Sequence, residues 1–209
     1  MLPLTKLRTA TRQALAYVSA QPDVAEAEVF ASANANLTVR LNYTSHIPSN
    51  GVEEPKSVES YGLGLRVAFR SPQGLKTGFG SEPNDLSPEG VRRALEKARS
   101  GAVFDPEFVS LPKSPLYQRG EANRPGPARS NRDPAIMRLG NVRLLETGWR
   151  MVDRALEVFQ SSEELLNLAG SPERMADLGL ILGGDLVLLQ ERMAIASTHM
   201  PRLQSDEST

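Results

Sequence analysis

The chain has 209 residues, is 40% hydrophobic and 23% charged, and sets 24 basic against 25 acidic side chains for a net charge of −1. That composition supports one packed domain with at most an appendage, and it offers no overall positive field to hold nucleic acid or an anionic membrane. The absence of cysteine excludes disulfides, thiolate zinc sites, iron–sulfur clusters and cysteine nucleophiles, and it matches a reducing cytosol.

The opening "MLPLTKLRTATRQALAYVSA" lacks the continuous apolar core of a signal peptide, and no apolar run nears the roughly 20 residues of a membrane span. The reading is a cytoplasmic protein. Leu4, Leu7, Ala14, Leu15 and Val18 recur at helical spacing, which predicts an amphipathic helix over 4–20, ended by Pro22. From Val24 the period changes to two. "VAEAEVFAS" sets Ala25, Ala27, Val29 and Ala31 against Glu26, Glu28 and Phe30, and "LTVRLNY" sets Leu37, Val39, Leu41 and Tyr43 against Thr38, Arg40 and Asn42. With "NAN" as a turn, the two segments predict a hairpin. Residues 44–58, polar and holding two prolines and a glycine, read as a surface loop.

The stretch "YGLGLRVAFRSPQGLKTGFGS", residues 61–81, carries five glycines. Phosphate-cradling glycines require a helix N-terminus behind them. Here Leu65, Val67 and Phe69 alternate with Arg66, Ala68 and Arg70, which is strand periodicity, and "SPQG" has proline and glycine where a type I turn prefers them. The stretch reads as a second hairpin. Ser87 then caps a helix with Pro88 at its first position and Val91, Leu95 and Ala98 as its apolar stripe.

Residues 105–133 are rich in proline and arginine and read as an extended linker or mobile excursion. Asp133-Pro134 is a second cap signal, after which Leu145, Trp149, Val152, Leu156 and Phe159 form one stripe along a long helix. Ser162 and Ser171-Pro172-Glu173 start short helices that Gly170 and Gly179 stop. "LGLILGGDLVLLQERMAIASTHM" reads as a strand pair turning at Gly183-Gly184-Asp185, with Pro201 at its end and a polar tail "RLQSDEST" left unpartnered.

These pieces in order, "AEVF", "GLGLRVAF…GFGS…LSPEGVRRALEKA" and then "LLETGWRMVDRALEVF…LGLILGGDLVLLQERMAIAST", resemble the TldD/PmbA family of zinc metalloproteases, once called modulators of DNA gyrase. The first pieces, over about 1–112, resemble its N-terminal domain, and the later ones the start of its central region. The implied organisation is an N-terminal α+β domain at 1–112, a Pro/Arg-rich linker at 113–133, and an incomplete second domain at 134–209. The fold expected for 24–80 is a largely antiparallel sheet of about four strands, with the 4–20 and 87–101 helices on one face, followed by a long helix and the opening of a β-rich domain.

The resemblance implies a H-E-x-x-x-H zinc helix in the proteolytic subunit, and the sequence holds no such motif. Its two histidines, His46 and His199, have no second ligand at zinc spacing, so both read as surface residues. No catalytic, metal or cofactor-binding residue is assigned, and the zinc of the family is expected in the C-terminal part that this chain lacks. The chain then reads as a fragment, split gene product or stand-alone remnant.

The expected role is to shape a peptide channel and to assemble with a related subunit, as a homodimer or heterodimer acting on unfolded peptides, without being active alone. A sheet edge suits that role, because strand addition needs main-chain groups only. A self-contained binding or scaffold module is the alternative. A carboxylate enzyme built on Glu26, Glu28, Glu53, Glu54 and Glu59 is the third reading, but alternating carboxylates are ordinarily a strand's wet face. Arg66, Arg70 and Lys76 lack the interleaved aromatics of a nucleic-acid groove, so no nucleic-acid or membrane partner is expected.

Overall fold

The computed structural model describes residues 1–47, 50–113 and 131–209. Its elements run α1 (Leu4–Ser19), β1 (Val24–Thr44), β2 (Gly51–Val52), β3 (Lys56–Ser71), β4 (Gly74–Pro83), α2 (Pro88–Ser100) and β5 (Val103–Phe104). They continue through α3 (Asn141–Ser161), α4 (Glu163–Ala169), β6 (Ile181–Ser197) and β7 (Gln204–Ser208), with 3-10 turns at Ile136–Arg138 and Pro172–Leu178. The class is α+β. Among the described residues seven strands share one sheet in the order β5-β4-β3-β1-β6-β7, with β2 beside β1. The four strands expected from 24–80 agree in number with β1–β4, although the expectation split β1 in two and missed the two-residue β2; the sheet reaches seven because β5, β6 and β7 join it.

Two compact units divide the chain: residues 1–34, 59–133 and 190–209 in one, and residues 35–58 and 134–189 in the other. In the first unit, α1 buries Leu7, Ala14 and Val18, and α2 buries Val91, Ala94, Leu95 and Ala98, against Ala27, Val29, Ala31, Leu65 and Val67 of the sheet. Each fully buried Leu or Val contributes about 1.5–3 kcal/mol, which fixes the helices on that face. The Ser87 cap is present: its Oγ accepts the Gly90 N–H at 3.2 Å.

The hairpin at 61–81 is as read, with β3 and β4 antiparallel and Ser71 opposite Gly74 across the turn. Its glycines serve close packing. A Cβ on Gly78 would stand 1.9 Å from the Ala98 carbonyl oxygen, and one on Gly80 1.9 Å from that of Ala94, so the two glycines let α2 lie directly on the strand.

Several expectations need correction, three of them in the long strands and the tail. The hairpin expected across "NAN" is one continuous strand, β1, of 21 residues. Ala31, Ala33, Ala35 and Leu37 are all buried, so the period of two never slips where a turn would reset it. The strand pair expected at Gly183-Gly184-Asp185 is likewise one strand, β6, because neither glycine adopts the positive φ of a hairpin turn. The polar tail is not unpartnered: Gln204–Ser208 is β7, antiparallel to β6, with Glu207 bound to Arg192 at 2.8 Å.

In the second unit, α3 begins at Asn141 behind Gly140 rather than at Asp133-Pro134. Its buried residues are Leu144, Gly148 and Val152, one position off most of the expected stripe. Gly148 sets that phase: a Cβ there would stand 3.1–3.4 Å from Val52, Val39 and Leu41, so the helix meets β1 and β2 along its glycine side. Trp149 is 42% exposed instead of core, with its ring lying on Gly51. The short-helix signals hold. Ser162 Oγ accepts the Leu165 N–H at 3.3 Å, and Gly170 and Gly179 adopt φ of +81° and +67° as stops. The expected loop at 44–58 contains β2, antiparallel to Leu41–Asn42.

Of the expected linker, residues 114–130 lie outside the described residues. Asn131 bridges Ser208 in parallel and donates from Nδ2 to Asp206 at 2.7 Å, and Arg132 pairs with Glu207.

Candidate functional site

The even-numbered face of β1 carries Glu26, Glu28 and Phe30, as the alternation requires. The two carboxylates do not combine. Glu28 takes Arg66 at 2.8 Å. Glu26 Oε2 accepts the Leu111 N–H at 2.7 Å, and its Oε1 lies 3.0 Å from His199 Nε2. Burial pushes the Glu26 carboxyl up, but the Leu111 N–H and His199 outweigh it and leave the group below the ordinary glutamate range.

Ser110 Oγ stands 3.4 Å from the same Nε2 of His199. A nucleophilic triad needs serine and carboxylate on opposite ring nitrogens, so that one orients the base while the other gives it a proton. Here both meet one nitrogen. The cluster is a clasp that ties residues 110–111 and the end of β6 to β1. His199 is therefore not the surface residue expected: its side chain is 18% exposed and paired. His46 is the other histidine, and its ring lies 3.6 Å from where a Gly179 Cβ would be.

The remaining candidates are dispersed. Glu53 accepts from Asn42 Nδ2 at 3.3 Å, Glu59 pairs with the Met1 amino group at 2.6 Å, and Glu54 is exposed. Arg70 donates to the carbonyls of Pro22, at 3.1 Å, and of Val24, which closes the start of β1. Lys76 sits opposite Phe69 and Phe104. Among the described residues no three His, Asp or Glu side chains gather as a metal site, and His46 and His199 belong to different units. The described residues thus do not fit a zinc ion.

The feature that does present chemistry is an edge. β7 pairs with β6 only over Glu191–Ile195. In the second unit, among the described residues, no strand pairs with Ile181–Leu189 on the side turned from β1. The Ser45 N–H binds the Leu180 carbonyl at 2.9 Å, so the period of two turns the N–H and C=O of Ile181, Gly183, Asp185, Val187 and Leu189 outward. Val187 and Leu189 are 55% and 60% exposed, and the segment's single charge, Asp185, is held by Arg40 at 3.4 Å. An unpaired row of main-chain donors and acceptors beside apolar side chains is a template for another strand. A turn at Gly183-Gly184 would have broken this edge. The signal that finds it is the unbroken alternation from Ile181 to Ile195.

No helix among the described residues is long and apolar enough to cross a membrane. Residues 47–102 match the family described as PmbA/TldA metallopeptidase domain 1. No curated protein matches the chain. Among solved structures, TldE from Thermococcus kodakarensis is similar at 16% identity and a TM-score of 0.56, over 95% of this chain and 37% of that one. A protein from Thermotoga maritima named as a modulator of a DNA gyrase is similar at 10% identity and a TM-score of 0.54, over 96% and 37%. The chain thus spans just over a third of the length of these two relatives.

Proposed function

We propose, from the match of residues 47–102 to the first domain of the PmbA/TldA metallopeptidases, that this chain serves peptide handling and subunit assembly rather than bond cleavage. The chain is a non-catalytic component that helps shape a peptide channel. It acts beside a related subunit that holds the zinc. The observation carrying this reading is the edge at Ile181–Leu189, unpaired among the described residues, which offers main-chain hydrogen bonds to any extended polypeptide without demanding a side-chain sequence.

Val187→Pro tests it. The substitution removes one outward N–H and leaves the ladder to β1 intact, a position where proline is tolerated in sheets. An extended, unstructured peptide capped as its C-terminal amide should bind the native chain and slow hydrogen exchange at the outward amides of residues 181–189. The proline variant should lose that binding while melting as the native chain does. Binding unchanged by Val187→Pro refutes strand addition and favours a self-contained scaffold module.

A further inference from the structure

In the first unit, a cleft of about 550 Å³ opens between α1 and the turn from β6 to β7. Arg8 and Arg12, one helical turn apart on α1, line it together with Arg202, and no carboxylate is among its lining residues. Leu15, Met200 and Leu203 supply an apolar wall. The size lies within the roughly 300–1,000 Å³ of small-ligand clefts.

Arg66, Arg93, Arg99 and Arg192 each have a carboxylate partner within 3.2 Å. Arg8 and Arg12 have no ion pair among the described residues. Two unneutralised guanidinium groups at i and i+4 repel each other and stabilise neither the helix nor the sheet. Both gain only when an anion enters between them.

We infer that this cleft binds the C-terminal carboxylate of a peptide whose last side chain is apolar. Planar guanidinium groups take a carboxylate through paired N–H donors, which gives direction as well as charge. The apolar wall then accepts the terminal side chain, a surface that a bare inorganic anion would leave unused. The inference deepens the peptide-handling reading by naming an end group for the peptide, and it rests on that reading for its substrate class.

The test uses the full 209-residue chain, without zinc or a partner, and fluorescence anisotropy of a labelled peptide ending in leucine, as the free acid and as the C-terminal amide. The free acid should bind at least tenfold more tightly than the amide. The double variant Arg8→Gln, Arg12→Gln should lose that preference with its melting temperature unchanged, since both side chains are exposed. Val187→Pro should keep the preference, so failure of the edge reading and failure of this one are separable. Equal affinity for acid and amide overturns the inference, as does a preference that survives the double variant. Binding of inorganic phosphate with no binding of the free-acid peptide also overturns it.

Discussion

His199 Nε2 lies 3.0 Å from Glu26 Oε1 while the other oxygen of that carboxylate takes the Leu111 N–H at 2.7 Å. A carboxylate placed this way binds its proton less readily in the folded chain than in the unfolded one. Asp23 behaves alike, held low chiefly by hydrogen bonds from Arg99. The sign follows from linkage: groups whose folded pKa is depressed add stability above their ordinary values, and that stability disappears as pH falls through the depressed ones. Urea unfolding from pH 6 down to pH 3 should therefore show stability falling below the ordinary carboxylate range. Glu26→Gln should flatten part of that slope, and at pH 7 it should lose about 1.5–3 kcal/mol with the charge-assisted hydrogen bonds. An unchanged acid slope in the variant would show that the clasp does not form.

Gly80 tells the same kind of story in packing. A side chain there meets the Ala94 carbonyl oxygen, which is backbone and does not swing aside. Gly80→Ala should cost about 3 kcal/mol, the upper part of the range for overpacking. For a chain of this size that corresponds to a fall of roughly 6–12 °C in melting temperature. A variant melting within a degree of the native chain would mean that α2 does not lie on β4 as described.

Thr11 is the reverse case. It is 1% exposed within α1, and its hydroxyl has no hydrogen-bond partner among the described residues. A buried hydroxyl without a partner carries its desolvation cost uncompensated. Thr11→Val keeps the branched shape and removes the cost, so unfolding free energy should rise by about 1 kcal/mol in denaturant titration. A loss of stability would place a partner on that oxygen.

Much of the fold was legible where a single physical signal decided it. The hairpin at 61–81 followed from alternation and turn chemistry, and the helix after Ser87 from its cap. The two misplaced turns share one cause. Asn34 and Gly183-Gly184 are turn formers by composition, yet they lie inside long strands, because composition describes a residue and phase describes the element. Burial at Ala31, Ala33, Ala35 and Leu37 kept one phase through "NAN", and that phase was present in the sequence. Gly148 is different. Whether the helix turns Trp149 or Gly148 inward depends on how near Val39 and Val52 approach, and no local pattern encodes that distance. The Glu26–His199 pair, 173 positions apart, was equally invisible, since each residue alone reads as polar surface.

The central claim is that this chain handles peptides and leaves bond cleavage to a partner. The most direct measurement is hydrolysis of an unfolded peptide with zinc present, by the purified 209-residue chain alone and after addition of a family subunit that carries the H-E-x-x-x-H helix. The account predicts no turnover by the chain alone and faster turnover by the mixture than by the added subunit alone. Zinc-dependent turnover by the chain alone would contradict it, as would a mixture no faster than the added subunit.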